Sequence, residues 1–212
     1  MLNIVIVGAG GFGREVACLL DSFLPNEPWN LKGFLGKDLG TETDCPLPGD
    51  LIGDPLEYQP ESTDRFVLAI GNMRARSTIV PAIQSKGGKF LTLTHPTAYV
   101  APTAKLGDGV LVYPFATVSN NATLADGVKL NYYASCGHDT TLGKYCLLAP
   151  YATINGFVTL EDQVYLSTHS TVAPGVRVGH KSKVSANSAA MKDVPADSLV
   201  FGVPGRVARN LI

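Results

Sequence analysis

His138 is followed at once by a carboxylate, in Gly137-His138-Asp139. A carboxylate beside an imidazole can fix its tautomer and make it more basic. With an ordinary pKa of about 6.5, imidazole is the side chain best matched to a general base at neutral pH. Three other histidines occur. His95 precedes Pro96, and His169 and His180 fall in turn segments, so these three read as solvated or packing side chains. No Gly-x-Ser-x-Gly occurs and no cysteine lies beside a histidine, so direct base catalysis is favoured over a covalent intermediate. Cys18, Cys45, Cys136 and Cys146 are scattered, with no CxxC pair and no zinc spacing, so no metal site is expected.

The element that must hold His138 is a repeat. Every sixth residue from Val100 to Ala190 is apolar, through Leu106, Val112, Val118, Leu124, Leu130, Cys136, Leu142, Leu148 and onward. Two residues before each stands a small or β-branched one, such as Ala116, Ala122, Ala134, Thr140, Cys146 and Ser170. Positions i−2 and i of an extended segment point the same way, so both sets face one interior. A hexapeptide period predicts a parallel β-helix. Three hexads close a triangular coil, and the run from Val100 to Ala190 gives about five coils spaced roughly 4.8 Å apart. Such a prism is packed inside and has no cleft of its own. Chemistry must sit on its outer surface, most naturally between prisms.

Ahead of the repeat lies a different unit. Asn3 to Val7 reads as a buried strand, and Arg14 to Phe23 as a helix with Val16, Leu19, Leu20 and Phe23 on one face. Between them runs Gly8-Ala9-Gly10-Gly11-Phe12-Gly13. Strand, glycine-rich turn and helix begin a dinucleotide-type unit, whose glycines admit a diphosphate and whose helix N-terminus offers free N–H groups. Leu31 to Leu35, Arg65 to Ile70 and Lys89 to Leu93 read as further strands. Gly40 to Pro60 reads as loop, and Met73 to Lys86 as a second helix. The unit ends near His95-Pro96, so domains of 1–95 and 96–212 are expected. Only half of a full dinucleotide fold is present. The acidic residue expected about 20 positions past the glycines has Asp38 as its nearest candidate, beyond the strand end. Nicotinamide redox chemistry is therefore disfavoured, and a single nucleotide diphosphate fits better. The fold class expected is an α/β half-Rossmann domain followed by an all-β helix.

At 45% hydrophobic and 17% charged, the 212 residues can bury a core and are not those of a disordered chain. A net charge of −1 without a basic block argues against nucleic acid and against an anionic membrane surface. MLNIVIVGAG lacks a basic leader, and no apolar run approaches a membrane span. A cytoplasmic protein is expected.

The chain resembles the nucleotide-sugar acetyltransferases of the left-handed β-helix type, the group of sialic acid, bacillosamine and perosamine acetyltransferases. The residues carrying the resemblance are Val7 to Gly13, Ala69-Ile70-Gly71-Asn72, His95-Pro96-Thr97-Ala98, Asn131 with His138-Asp139, the hexads, and Gly202-Val203-Pro204. The resemblance implies a left-handed helix, a homotrimer, and acetyl-CoA as co-substrate in a groove between prisms. It implies His138 as the base, oriented by Asp139, and Asn131 in the sugar pocket. Gly10, Gly11, Phe12, Gly13, Asp38, Gly71 and Asn72 are expected to hold the nucleotide sugar. Ser167, Ser185, Ala186, Pro204 and Gly205 are expected along the CoA.

Three departures from the pattern stand out. Leu147 occupies the place where relatives often carry a thioester-side histidine. Phe12 replaces a loop histidine of some relatives, and Tyr132-Tyr133 follows Asn131 where smaller residues are usual. The resemblance implies N-acetylation of a nucleotide-linked 4-amino-6-deoxy sugar. O-acetylation of a sugar hydroxyl, as in sialic acid modification, and a non-catalytic sugar-binding trimer stand as alternatives. The nucleotide, whether uridine, guanosine or thymidine, is not specified by the residues.

Overall fold

A computed structural model describes residues 1–36 and 46–209. Asp38 and Cys45 lie outside the described residues. The chain divides into two compact units, the first ending at Leu91 and the second starting at Thr92.

In the first unit, β1 (Leu2–Val7) leads into α1 (Gly11–Phe23), followed by β2 (Trp29–Leu35), β3 (Leu51–Gly53), β4 (Asp64–Leu68) and α2 (Met73–Ser85). The four strands form one parallel sheet in the order β3-β2-β1-β4. This is the half-Rossmann arrangement. Ile4, Val5, Ile6 and Val7 of β1 are fully buried, as a central parallel strand covered on both faces requires. From α1, Val16, Leu20 and Phe23 pack inward. The helix begins at Gly11 rather than Arg14, so the end of the glycine turn is already its first turn.

Two sequence expectations are corrected here. Leu51–Gly53, inside the segment read as loop, is a strand pairing with β2. Three residues flanked by Gly and Pro carry no periodicity to read. Lys89 to Leu93 is not a strand of this sheet. Only Phe90 bridges to Phe66, while Leu93–Thr94 pairs with Leu111–Val112 as the first rung of the second unit.

The second unit is a left-handed parallel β-helix of two-residue rungs. Rungs pair at an eighteen-residue offset, as in Thr123↔Thr141 and Cys136↔Ile154. They assemble into three sheets of five, eight and six strands. From Tyr99–Val100 to Ala189–Ala190 the six-stranded sheet takes the five expected coil steps, and the eight-stranded sheet, with seven parallel rungs from Leu93–Thr94 to Ser198–Phe201, extends the column at both ends. The interior is the hexad set, from Val112 through Leu130 and Leu148 to Val184, with Ala116, Ala134 and Ala152 leaving room for the aliphatics. Burying this stripe supplies the main driving force, roughly 25 cal/mol per Å² of apolar surface removed from water.

Past Ala190 the column continues in a shorter coil. Lys183 pairs with Leu199 and Val178 bridges Val194, each sixteen residues apart, and Val194 and Val200 join the core. Ser198–Phe201 then turns into Arg206–Arg209, which pairs back antiparallel. The described chain thus ends in a hairpin.

From Gly109 onward each corner turns through a residue with positive φ, repeated every six positions: Gly109, Phe115, Asn121, Gly127, Tyr133, Asp139, Tyr145, Tyr151, Phe157 and on to Asn187. Left-handed backbone is costly for most side chains, yet most of these residues are not glycine. The closed coil imposes the conformation and the core offsets its cost. At the corner between the eight- and six-stranded sheets, Phe115, Tyr133, Tyr151 and His169 stack face to face, with ring centroids 4.7–5.0 Å apart.

Candidate active site

His138 and Asp139 lie at the corner that follows the rung Ser135–Cys136, between the six- and five-stranded sheets. The Asp139 N–H donates to the Asn120 carbonyl one coil earlier, and the Phe157 N–H donates to the His138 carbonyl from the next coil, both at 2.9–3.0 Å. The corner backbone is therefore pinned from both sides. His138 Nδ1 lies 2.8 Å from Asp139 Oδ2. The other carboxylate oxygen accepts from Asn121 Nδ2 at 3.0 Å. The bond to His138, then that to Asn121, holds the Asp139 carboxyl below its ordinary pKa. An ionised carboxylate accepts from Nδ1–H, which leaves the lone pair on Nε2. The Phe157 ring stands edge-on to the imidazole, centroids 5.0 Å apart. The His138 side chain is about half exposed, at 55%. An exposed imidazole with its second nitrogen committed to a carboxylate can take a proton from a nucleophile arriving at Nε2.

Asn121, Gly156 and Phe157 escape a reading based on neighbours in sequence. Their signal is the coil length: Asn121 lies eighteen residues before Asp139, and Gly156 and Phe157 eighteen after His138 and Asp139.

The remaining histidines take structural partners. His95 Nδ1 lies 2.8 Å from Thr97 Oγ1, and burial lowers its pKa. His169 ends the aromatic stack. His180 sits between Glu161 at 3.5 Å and Asp197 at 3.4 Å. Among the described residues no His/Cys/Asp/Glu cluster could hold a metal ion. Cys136 and Cys146 are buried in the column, and burial pushes the Cys136 thiol up to about 11. Neither suits nucleophilic work.

Asn131, Ser167 and Ser185 do not join His138. They fall in one column at another corner, after rungs of the eight-stranded sheet, with Asn131 two coils before Ser167, Ser185 one coil after it, and Ala186 beside Ser185. Their backbone N–H groups are spent on the ladder, to Leu148, Val184 and Val200 respectively. Asn131 Oδ1 also accepts from the Tyr132 N–H at 2.7 Å. Tyr132 itself packs edge-on against the buried Tyr113. Leu147 is buried in its rung, paired in register with Lys129 and Tyr165. Pro204 is exposed in the terminal hairpin turn. The Gly205 N–H donates to Ala189 O at 2.9 Å, and a side chain there would meet that oxygen at 2.3 Å.

In the first unit the glycine turn and Gly71-Asn72 meet at the carboxyl ends of β1 and β4. These strands are neighbours, and between them the strand order reverses. That switch point is where open α/β sheets bind ligands. The glycines divide the labour. A Cβ on Gly8 would lie 2.3 Å from Ala69 O, and one on Gly13 2.0 Å from Gly8 O, so both serve backbone packing. Around Gly11 the nearest atom is Arg14 Nη2 at 3.8 Å, and around Gly71 nothing lies within 4 Å. Gly10 is the N-cap of α1 and makes no side-chain bond, while Phe12 is half-buried in its first turn. Asn72 caps α2, its Oδ1 accepting from the Ala75 N–H at 3.0 Å.

A half-Rossmann unit and a coil column bearing an outward histidine–carboxylate pair define the class of hexapeptide-repeat β-helix proteins with a nucleotide-type N-terminal domain. Residues 3–83 match the family model of the PglD N-terminal domain. PerB from Caulobacter crescentus, solved with CoA and GDP-perosamine, superposes with a TM-score of 0.86 at 26% identity over 97% of each chain. WeeI from Acinetobacter baumannii gives 0.85 at 25%, covering 98% of this chain and 100% of its own. The acetyltransferase domain of PglB from Neisseria gonorrhoeae gives 0.87 at 26%, with the same coverage. No curated protein sequence matches the chain. Over nearly its whole length the chain is thus similar in fold to acetyltransferases of the left-handed β-helix type, and its first unit matches the PglD N-terminal domain.

Proposed function

We propose that this protein transfers the acetyl group of acetyl-CoA to the amine of a nucleotide-linked amino sugar, with His138 as general base. The observation that carries the reading is the Asp139–His138 pair on the outside of the column, with Nδ1 committed and Nε2 left basic. PerB with CoA and GDP-perosamine, and PglB with acetyl coenzyme A, supply the substrate classes.

In this mechanism the amine nitrogen attacks the thioester carbonyl carbon. His138 Nε2 takes the proton that the nitrogen sheds, and Asp139 stabilises the imidazolium. The carbon–sulfur bond breaks, and His138 returns the proton to the departing sulfur, leaving amide and free thiol. Base assistance contributes typically 10²–10⁴-fold, and holding the two reactants together supplies more.

The nucleotide is held by the first unit, with Gly11 and Gly71 giving the diphosphate close approach to backbone and to the α1 N-terminus. The pantetheine of CoA runs past Ser167, Ser185 and Ala186, and Pro204 and Gly205 meet its nucleotide end. Within one protomer these residues stand at a different corner from His138. That separation supports a homotrimer in which the groove lies between two copies.

The test is release of free CoA thiol with acetyl-CoA and a panel of UDP-, GDP- and dTDP-linked 4-amino-6-deoxy sugars, alongside hydroxyl acceptors. Turnover of one amino sugar, lost in His138→Ala, is expected. Turnover of hydroxyl acceptors alone would replace N- by O-acetylation. No turnover together with no thermal shift by CoA would leave a non-catalytic trimer.

A further inference from the structure

Gly156 lies one coil beyond His138, and no feature of its own backbone calls for glycine, since its φ is outside the left-handed range. What it lacks is room. A Cβ there would lie 2.6 Å from His138 Cε1, 2.6 Å from Nε2 and 3.2 Å from Cδ2. All three nearest atoms belong to one imidazole. Gly137, Gly143 and Gly179 differ, since an added Cβ would strike backbone of the following coil at 2.4–2.8 Å. Those glycines serve coil packing. The space at Gly156 is filled by the His138 ring.

We propose that Gly156 is a positioning residue for the acetyl transfer: its missing side chain lets the His138 ring lie against the next coil with Nδ1 on Asp139. This rests on the reading of His138 as base. Three contacts then define the ring. Asp139 holds the Nδ1 edge, the Phe157 ring stands edge-on to it, and the bare Cα of Gly156 lies beneath the Cε1–Nε2 edge. A methyl at Gly156 must push that edge outward. The ring then either leaves Asp139 or presents Nε2 along a different line. Because the colliding atoms end a flexible, half-exposed side chain, the backbone of the coil need not move.

The first readout needs no substrate. Imidazole ¹⁵N and ¹H resonances of His138 are compared in the wild type and in Gly156→Ala, together with thermal unfolding. Displaced His138 resonances at an unchanged unfolding midpoint are expected, while Gly137→Ala, whose Cβ meets Asn155 backbone at 2.6 Å, lowers the midpoint. The second readout is the rate. In Gly156→Ala, kcat is expected to fall about 10- to 100-fold with KM for acetyl-CoA unchanged, within the 10²–10⁴ that a base supplies. In a His138→Ala background the same substitution is expected to change the residual rate less than twofold, because neighbours acting through one group are not additive. Unmoved His138 resonances would overturn the proposal, as would equal losses from Gly156→Ala with and without His138. Wild-type protein that transfers no acetyl group would sink the proposed function, and the resonances would still decide whether Gly156 sets the ring.

Discussion

Replacing Asp139 by asparagine is expected to harm the enzyme more than removing the side chain altogether. In the wild type, Asn121 Nδ2 donates to Asp139 Oδ1 at 3.0 Å, and Asp139 Oδ2 lies 2.8 Å from His138 Nδ1. An asparagine at 139 keeps its oxygen toward the Asn121 Nδ2 donor. Its NH₂ must then face Nδ1. A donor there makes Nδ1 the acceptor and forces the ring proton onto Nε2. The nitrogen that should receive the substrate proton is then already protonated. The whole contribution of the base is at stake, so kcat should fall by about 10²–10⁴. Alanine at 139 leaves Nδ1 to water and both tautomers accessible, and the loss should stay near tenfold. The double variant Asn121→Ala/Asp139→Asn frees the amide to turn its oxygen toward Nδ1, and should recover activity over Asp139→Asn alone. Thiol release gives the rates and imidazole ¹⁵N shifts give the tautomer. Asp139→Asn as active as Asp139→Ala, or no recovery in the double variant, would refute the tautomer argument.

Other expectations follow from packing and charge. Gly13→Ala places a methyl 2.0 Å from Gly8 O and should destabilise the first unit by about 1–3 kcal/mol, seen in urea unfolding. Gly11→Ala, with 3.8 Å to its nearest neighbour, should unfold like the wild type and raise KM for the nucleotide sugar alone. Leu148→Ala empties a fully buried place in the column and should cost about 2–5 kcal/mol, read as a large drop in unfolding midpoint. Asp64 reports on pH. Burial pushes its carboxyl pKa up, but the Glu61 N–H, Lys32 and the Tyr58 hydroxyl outweigh this and hold it below the ordinary value. The folded state therefore releases this proton more readily than the unfolded chain, whose aspartates titrate at about 3.9. The stabilisation is complete above that value and fades as pH falls through it toward the folded pKa. The gap in midpoint between wild type and Asp64→Asn should accordingly be wide at pH 6 and shrink steadily as pH falls below about 3.9. A gap that stays constant would show that Asp64 stabilises through shape rather than charge.

The column was legible because two periods agree. Side chains alternate along a rung, and six residues carry the chain to the next face, so Leu124, Leu130 and Leu148 announce themselves as interior. The corners were not legible. Phe115, Tyr133, Gln163 and Lys181 are poor choices for left-handed backbone, and coil closure alone puts them there. The last coil hid because it is two residues short, which takes Val194 and Val200 out of phase with the hexads. At the candidate site, His138 and Asp139 were visible as adjacent residues. Asn121 and Gly156 were not, because their closeness is vertical, through stacking at eighteen residues, and local spacing does not register it. The same geometry separates Asn131 from His138. Seven residues along the chain carry it to a different corner.

The eighteen-residue coil is also a unit of inheritance. Deleting or duplicating one whole coil returns every later side chain to its own face and every rung to its own sheet. An insertion of a single residue within a rung would turn its leucine or valine outward, whereas the last coil, shortened by two residues at its turns, still keeps Val194 and Val200 inside. Whole coils are therefore the steps in which the length can change with every rung kept in its own sheet. Since Asn121, His138 and Gly156 come from three successive coils, a step taken among those coils would dismantle the site, whereas one taken beyond Gly175 would pass it by.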